Sequence, residues 1–454
     1  MKTLCIIQGA LLALVLFVGT AHAAQKPNIL LIFTDDLGAT ALGCTGSDLH
    51  QTPHLDKLAA EGVLFTRAYS AAHVCSASRA AFLTGKAPAR LHITDFLRGS
   101  LKPYAKLSVP DWTMGLTPED VTLAKVLKPE GYATAWLGKW HAGANAFSLG
   151  FDKGHQSWLE NRKEDENDPK GVFTLNKEAM AFIEGRGDKP FFVALSHYSP
   201  HGPIRYSREV MQKYEKILAE RPSKHNNAGF AAMIEALDQS VGEILDWLDK
   251  KGLAKDTLVI FTSDNGGEPA LTNNLPLRDG KGSLYEGGVR VPLLARWPGH
   301  LPAGATNETR VSGIDFFPTF AALVGAQIPP VVDGMDLSAV FRENQNVDRG
   351  QLYWHYPHYH NQKPCGSILD GEWKLIEWFE TGKVELYNLA TDPWETKDMA
   401  ETEKAKAEEL LAQLKTWRKS VNAQQMTPNP NYDPAREREG PEKKKKKVKK
   451  KKQK

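Results

Sequence analysis

The stretch 28-NILLIFTDD-36 decides the fold. Its apolar run reads as a strand, and the strand closes on two carboxylates, Asp35 and Asp36. Comparable runs recur at 131-GYATAWL-137, 190-PFFVALS-196, 257-TLVIFTS-263 and 289-VRVPLLARW-297. Helical stretches alternate with them, at 56–61, 76–84, 119–129, 174–185, 228–250 and 315–324. The longest, 228–250, keeps apolar residues at 230, 233, 234, 237, 241, 244, 245 and 248, one face of a helix. No internal repeat is visible. The alternation predicts an α/β fold, a large mixed but mostly parallel sheet flanked by helices.

The strand ends carry the chemistry. The first ends in Asp35-Asp36, the second runs into 138-GKWHAG-143, the third into 196-SHYSPHGP-203 and the fourth into 263-SDNGG-267. Open α/β sheets bind ligands outside the carboxyl ends of their strands. Four such ends therefore bring polar groups to one edge. Asp35-Asp36 alone would read as a cap or turn. With Asp264 and Asn265 on a second strand end, the set offers hard oxygen ligands suited to Ca²⁺ or Mg²⁺ rather than zinc. Without a cation, three clustered carboxylates would repel and their pKa values would rise. Lys139, His141, His201 and Lys281 add positive charge and proton-transfer capacity beside them. Lys281 lies in the Gly-rich loop 278-RDGKGSLYEGGVR-290, where backbone can approach a ligand closely. His197 reads as a packed core histidine.

Cys75 opens the predicted helix in 73-HVCSASRAAFLTG-85. Backbone N–H groups and the helix dipole favour negative charge there, and Arg79 lies one turn on. This is an anion-binding position with a nucleophile in it.

The ends of the chain are of a different kind. Lys2, the apolar run 10-ALLALVLFVG-19 and Ala21-His22-Ala23 form a signal peptide over 1–23, with export to a periplasmic or secreted location. The run is shorter than the roughly 20 residues of a spanning helix, so no transmembrane segment is expected. Removing Cys5 with the leader leaves Cys44, Cys75 and Cys365, an odd number for an oxidising compartment. Cys44 and Cys365 are a candidate pair that sequence leaves open. The formal charge of +3 hides a body of −7, because residues 443–454 hold ten lysines. That tail either adheres to anionic polymers or is simply solvated. Export argues against a nucleic-acid partner. The catalytic domain is placed at 24–345 and a small C-terminal α+β subdomain at 346–424. The subdomain is read from 366-GSILDGEWKLIEWF-379, 383-KVELYNL-389 and a helix at 403–420. A disordered linker and tail are placed at 425–454.

These motifs resemble the type I sulfatases of the alkaline phosphatase superfamily. Cys75-Ser76-Ala77-Ser78-Arg79, followed by Ala80 to Gly85, is similar to the sulfatase signature. The second signature is matched by 132-YATAWLGKWHAG-143. NILLIFTDDLG, TSDNGG, GKGSLYEGGVRVP and ELYNLATDPWE match as well, so the resemblance spans nearly the whole mature chain. It implies an alkaline-phosphatase-like fold and conversion of Cys75 to formylglycine by a maturase. Its hydrate attacks sulfur, the alcohol leaves, and collapse to the aldehyde releases sulfate. It also implies one Ca²⁺ held by Asp35, Asp36, residue 75, Asp264 and Asn265. Arg79 would hold the hydrate. Lys139, His201 and Lys281 would hold sulfate oxygens and help protonate the leaving group, and His141 would assist elimination. The usual proline two residues after the cysteine is Ala77 here, the form associated with radical-type bacterial maturases.

The implied substrate is a sulfated carbohydrate or aryl sulfate. His92, Asp95 and Arg98 in 92-HITDFLRG-99, with His355 and His358 in 353-YWHYPHYH-360, either line a sugar pocket or pack the two subdomains together. Two other activities fit the motifs. One is a phosphodiesterase or phosphonate monoester hydrolase of the same superfamily. The other is a catalytically inactive, Ca²⁺-dependent glycan-binding protein.

Overall fold

The computed structural model describes residues 26–97, 99, 101–155 and 163–440. The predicted leader, Arg98 and the lysine tail lie outside the described residues.

An eight-stranded sheet runs in the order Ala305–Asn307, Val63–Phe65, Leu293–Arg296, Thr257–Ser263, Asn28–Asp35, Phe191–Pro200, Ala133–Gly138, Lys153–Gly154. The Asn28–Asp35 strand lies inside it, parallel to Phe191–Pro200 on one side and to Thr257–Ser263 on the other. Ala133–Gly138 is parallel to Phe191–Pro200, whereas Leu293–Arg296 is antiparallel to both of its neighbours. The sheet is therefore mixed and mostly parallel.

The unbroken apolar run at its centre follows from burial on both faces. All eight residues of Asn28–Asp35 are buried. Ile29, Leu31 and Phe33 enter one core with the helices Cys75–Thr84 and Phe316–Val324. Leu30 and Ile32 enter the other with Val172–Glu184 and Ala228–Lys250. Each such side chain contributes about 1.5–3 kcal/mol on leaving water.

Some expected elements are shorter. The predicted strand 289–297 begins only at Leu293, because Glu286–Val289 forms one helical turn and Pro292 has no N–H to give a ladder. The predicted helix 119–129 is reduced to Leu123–Leu127 with a further turn at Lys128–Glu130, where Pro129 interrupts it. Arg208–Glu220 is a helix that the apolar pattern did not announce. It buries Tyr214 fully and packs Val210, Met211, Ile217 and Leu218 half-buried on the same face, a stripe set in an otherwise charged sequence.

Beyond residue 350 a four-stranded antiparallel sheet is formed by Leu352–Tyr356, Cys365–Asp370, Trp373–Trp378 and Val384–Asn388. Ala407, Leu410 and Leu414 of the Lys404–Ser420 helix cover one face. The other face packs on Tyr69, Leu284, Tyr285 and Val289 of the main body. The expectation of disorder from 425 is corrected for its described part. Thr427–Pro428 pairs with Leu107–Ser108, and the Asn429 side-chain amide donates to the Pro103 and Ala105 carbonyls at 2.9 and 2.7 Å. Arg436 lies 3.6 Å above the Tyr104 ring. A proline-rich segment can be held by such contacts without a core of its own. Cys44, Cys75 and Cys365 are all free thiols, so the candidate pair is not formed. Among the described residues, no helix is long and apolar enough to cross a membrane.

The two sheets are joined by a fully buried charge cluster. Lys374 Nζ lies 2.9 Å from both Glu286 and Glu395, and all three side chains are inaccessible to solvent. Burial alone would depress the Lys374 pKa, but the two carboxylates outweigh it and raise it. Lys374→Met is expected to destabilise the fold by about 3–5 kcal/mol, because it strands two buried acids. Denaturant midpoints for this variant and for Lys374→Met with Glu395→Gln test the assignment. The double variant should recover part of the loss, and a single variant as stable as the parent would refute it.

Candidate active site

Because the four central strands are parallel, their carboxyl ends share one edge. In register, Thr34 lies beside Ser263, Asp35 beside Pro200 and Gly138 beside Ser196. The residues that follow, Asp36, Asp264, Asn265, Lys139 and His201, therefore project into one place. Asp36 takes a left-handed backbone (φ 64), which turns the chain off the strand. That conformation is uncommon outside glycine but several-fold enriched in Asp.

Cys75 arrives from below on the helix Cys75–Thr84, whose ten residues are all buried. Ala77, Ala80 and Ala81 make that possible, because small side chains let the helix lie close against its neighbours. Gly85 ends it in a left-handed cap (φ 67), and a β-carbon there would come within 3.0 Å of Phe317.

The geometry is dense. Arg79, fully buried, donates from Nε to Asp264 Oδ2 at 2.9 Å and from Nη1 to Ser196 Oγ at 2.6 Å and the Lys139 carbonyl at 3.2 Å. Its guanidinium also lies 5.0 Å from the centre of the Phe33 ring. Lys139 Nζ donates to Asp35 at 2.5 Å and Lys281 Nζ to Asp36 at 2.7 Å. His201 Nε2 is 3.6 Å from Asp36, and Asn265 Nδ2 donates to Asp36 at 2.8 Å. Cys75 Sγ is 3.2 Å from His141 Nδ1. The structure thus brings together Asp35, Asp36, Cys75, Arg79, Lys139, His141, His201, Asp264, Asn265 and Lys281.

The electrostatics follow from burial against charge. Burial works to raise the Asp35 pKa, but Lys139, His201, Arg79 and Lys281 overcome it and hold the carboxyl well below its usual range. Asp264 moves the other way, because burial dominates over Arg79. Burial also raises the Cys75 thiol and, with Lys139 and Arg79, lowers His141 to about 3. His141 is therefore neutral and can accept a proton.

The residues present fit a hard dication. Asp35, Cys75 and Asp264 offer atoms within 4.8 Å of one another, as do Asp35, Asp36 and His201. Asp35 Oδ1 and Asn265 Oδ1 are buried and accept no hydrogen bond. Unpaired buried acceptors beside clustered carboxylates are what a cation would satisfy.

The expected sugar-contacting residues behave differently. His92 Nε2 lies 2.8 Å from the Asn422 carbonyl, and His355 Nε2 lies 2.7 Å from that of Gln424. His358 Nε2 lies 2.8 Å from Thr94 Oγ1, and Asp95 accepts from the Tyr356 hydroxyl at 2.9 Å. Asp95, His355 and His358 are buried. Of the two roles left open for these three, their hydrogen bonds match packing between segments. His197 is buried with both ring nitrogens unpartnered, in keeping with its reading as a core residue.

Two contributors were not anticipated. Ser196 orients Arg79 from the end of its strand. Asn361 donates to the Lys281 carbonyl at 2.8 Å, and the neighbouring His360 ring lies so close to Gly282 that a β-carbon there would meet it at 2.4 Å. Nothing in the sequence marks this approach, since about 80 residues separate the partners.

Comparison with known proteins shows the family and the fold. The family model for sulfatases matches residues 27–326, and that for the C-terminal region of N-sulphoglucosamine sulphohydrolase matches 279–424. A sulfatase of Formosa agariphila is 33% identical, over 83% of this chain and 85% of its own. Human arylsulfatase A is 33% identical, over 89% of each chain. The crystal structure of Ps i-CgsB superposes with a TM-score of 0.73 at 30% identity, covering 87% of this chain and 93% of its own. That protein has also been solved in complex with k-i-k-neocarrahexaose.

Proposed function

The chain belongs to the type I sulfatase family and is a sulfuric ester hydrolase, and from that premise we propose that it is an exported carbohydrate sulfatase working through a residue formed from Cys75. The observation that carries the reading is the convergence on Cys75 of Arg79, His141, Lys139 and Lys281 with three buried carboxylates. Support for a carbohydrate substrate comes from a relative bound to an oligosaccharide.

Asp35, Asp36, Asp264, Asn265 and residue 75 would hold one Ca²⁺. When bound, it supplies stabilisation of charge on the transferring group. Formylglycine made from Cys75 would supply, as its hydrate, the nucleophilic oxygen.

The remaining work belongs to ordinary side chains. Arg79 is held by Asp264, Ser196 and a carbonyl, so it presents a fixed cation to side chain 75. Lys139 and Lys281 are ammonium donors buried at the edge of the sheet, where electrostatic stabilisation of sulfate oxygens is strongest. Neutral His141 takes a proton at residue 75. His201, its side chain 37% exposed, donates a proton to the departing alcohol.

Two measurements test this. Mass spectrometry of the peptide 68–79 from active protein is expected to show sulfur replaced by oxygen and two hydrogens lost at residue 75, and an intact thiol throughout would exclude the mechanism. An aryl sulfate is expected to be hydrolysed in preference to the matching aryl phosphate and phosphonate. The reverse preference would move the chain to a phosphoryl-transfer activity.

A further inference from the structure

A cavity of about 380 Å³ is lined by Lys170, Ile204, Arg205 and Tyr206 on one part of its wall and by the acidic segment 164–168 on another. Its inner charge is unusual. Lys170 is only 5% exposed, yet among the described residues no hydrogen-bond acceptor or carboxylate partners its ammonium. The neighbouring charges are matched locally. Arg205 pairs with Glu164, Arg208 lies 3.7 Å from Glu166, and Asp168 accepts from the Phe173 and Thr174 amides. Burying an ammonium without a partner costs free energy unless something else supplies the counter-charge.

The backbone is bent to put it there. In 168-DPKG-171, Lys170 and Gly171 are both left-handed (φ 58 and 71), immediately before the helix Val172–Glu184. Glycine takes that conformation freely, but lysine does so at a cost of order 1 kcal/mol or more. Such strain persists where surrounding structure holds it, commonly at ligand sites. Burial lowers the Lys170 pKa to about 8, with Asp35 opposing and Arg205 and Lys139 reinforcing the shift. Lys170 is thus within electrostatic reach of the reaction centre without belonging to its hydrogen-bonded cluster.

We propose that this cavity is a second anion subsite, in which Lys170 receives an oxyanion group carried by the same substrate molecule as the ester being cleaved. The inference rests on the sulfatase reading and narrows its substrate class. The preferred substrate is a saccharide with a sulfate at the cleaved position and a further sulfate or carboxylate placed to reach Lys170. An ammonium–oxyanion hydrogen bond in a buried site supplies the selectivity, and Ile204 and Tyr206 give the sugar ring an apolar wall.

The test compares kcat/KM on a neutral disaccharide monosulfate, its disulfated counterpart and its uronate-containing counterpart, with 4-nitrophenyl sulfate as reference. The wild type is expected to favour at least one doubly anionic disaccharide over the neutral one by about tenfold or more, the size of one charge-assisted hydrogen bond. Which arm is favoured identifies the second group as sulfate or carboxylate. In Lys170→Met the ratio is expected to collapse through KM, and in Lys170→Arg to be largely kept. Equal wild-type rates on neutral and doubly anionic disaccharides overturn the inference without any variant. So does hydrolysis of the aryl sulfate with none of the disaccharides, or an unchanged ratio in Lys170→Met. No hydrolysis of any sulfate ester overturns the sulfatase reading instead.

Discussion

Cys75→Ala is expected to lower sulfate-ester turnover by at least about 10⁴-fold, the order seen when a catalytic nucleophile is deleted. The side chain at 75 is the one nucleophile at the point where Arg79, His141 and the carboxylates meet, and it lies 3.2 Å from His141. The replacement is small, and its surroundings already hold Ala77, Ala80 and Ala81, so the helix should form unchanged. The thermal midpoint should accordingly move little while kcat on an aryl sulfate falls to background. Saccharide binding should survive. Substantial turnover by a folded Cys75→Ala protein would remove residue 75 from the chemistry.

Stripping divalent metal is the second large effect. Turnover is expected to drop by about 10³-fold or more, since a bound dication supplies several kcal/mol of charge stabilisation. A readout independent of activity follows from mass action. Ca²⁺ at a hundredfold its Kd should stabilise the native protein by about 2.7 kcal/mol, seen as a rise in thermal midpoint on adding Ca²⁺ to chelated protein. Asp264→Asn should abolish that rise. Asp264 gives one oxygen to Arg79 and the other to the Asp36 amide, so its loss removes a candidate ligand and loosens a second one, Asp36, together with Arg79. Burial, with Asp35 and Asp36 beside it, raises the Asp264 pKa to about 6, and a nearby dication would lower it again. Full turnover after exhaustive chelation, with no Ca²⁺-dependent stabilisation, would eliminate the metal.

Most of the reacting cluster was legible because local chemistry and topology point the same way. Asp35-Asp36, Lys139, His201 and Asp264-Asn265 each follow a short apolar run, and parallel strands necessarily deliver their ends to one edge. Cys75 and Arg79 were legible as one helical turn. For His355, His358 and Asp95 the sequence left two roles open, because a histidine in an aromatic strand has the same sequence appearance whether it lines a pocket or a seam. Lys170 was invisible. It stands in a polar segment after Asp168-Pro169, and only its left-handed backbone and burial distinguish it.

The sequence by itself determined the mixed sheet, the edge at which chemistry gathers and the ten residues that gather there. These depend on apolar periodicity and on which residues end each strand, properties written within a few consecutive positions. The tertiary structure alone decided which lysines face carboxylates and which, among the described residues, is left without a bonded one. It also decided that Lys374 is sealed between two glutamates, and that residues 427–436 are clasped rather than loose. Those outcomes depend on which distant segments meet, and burial then sets the strength of every charge that meeting brings together.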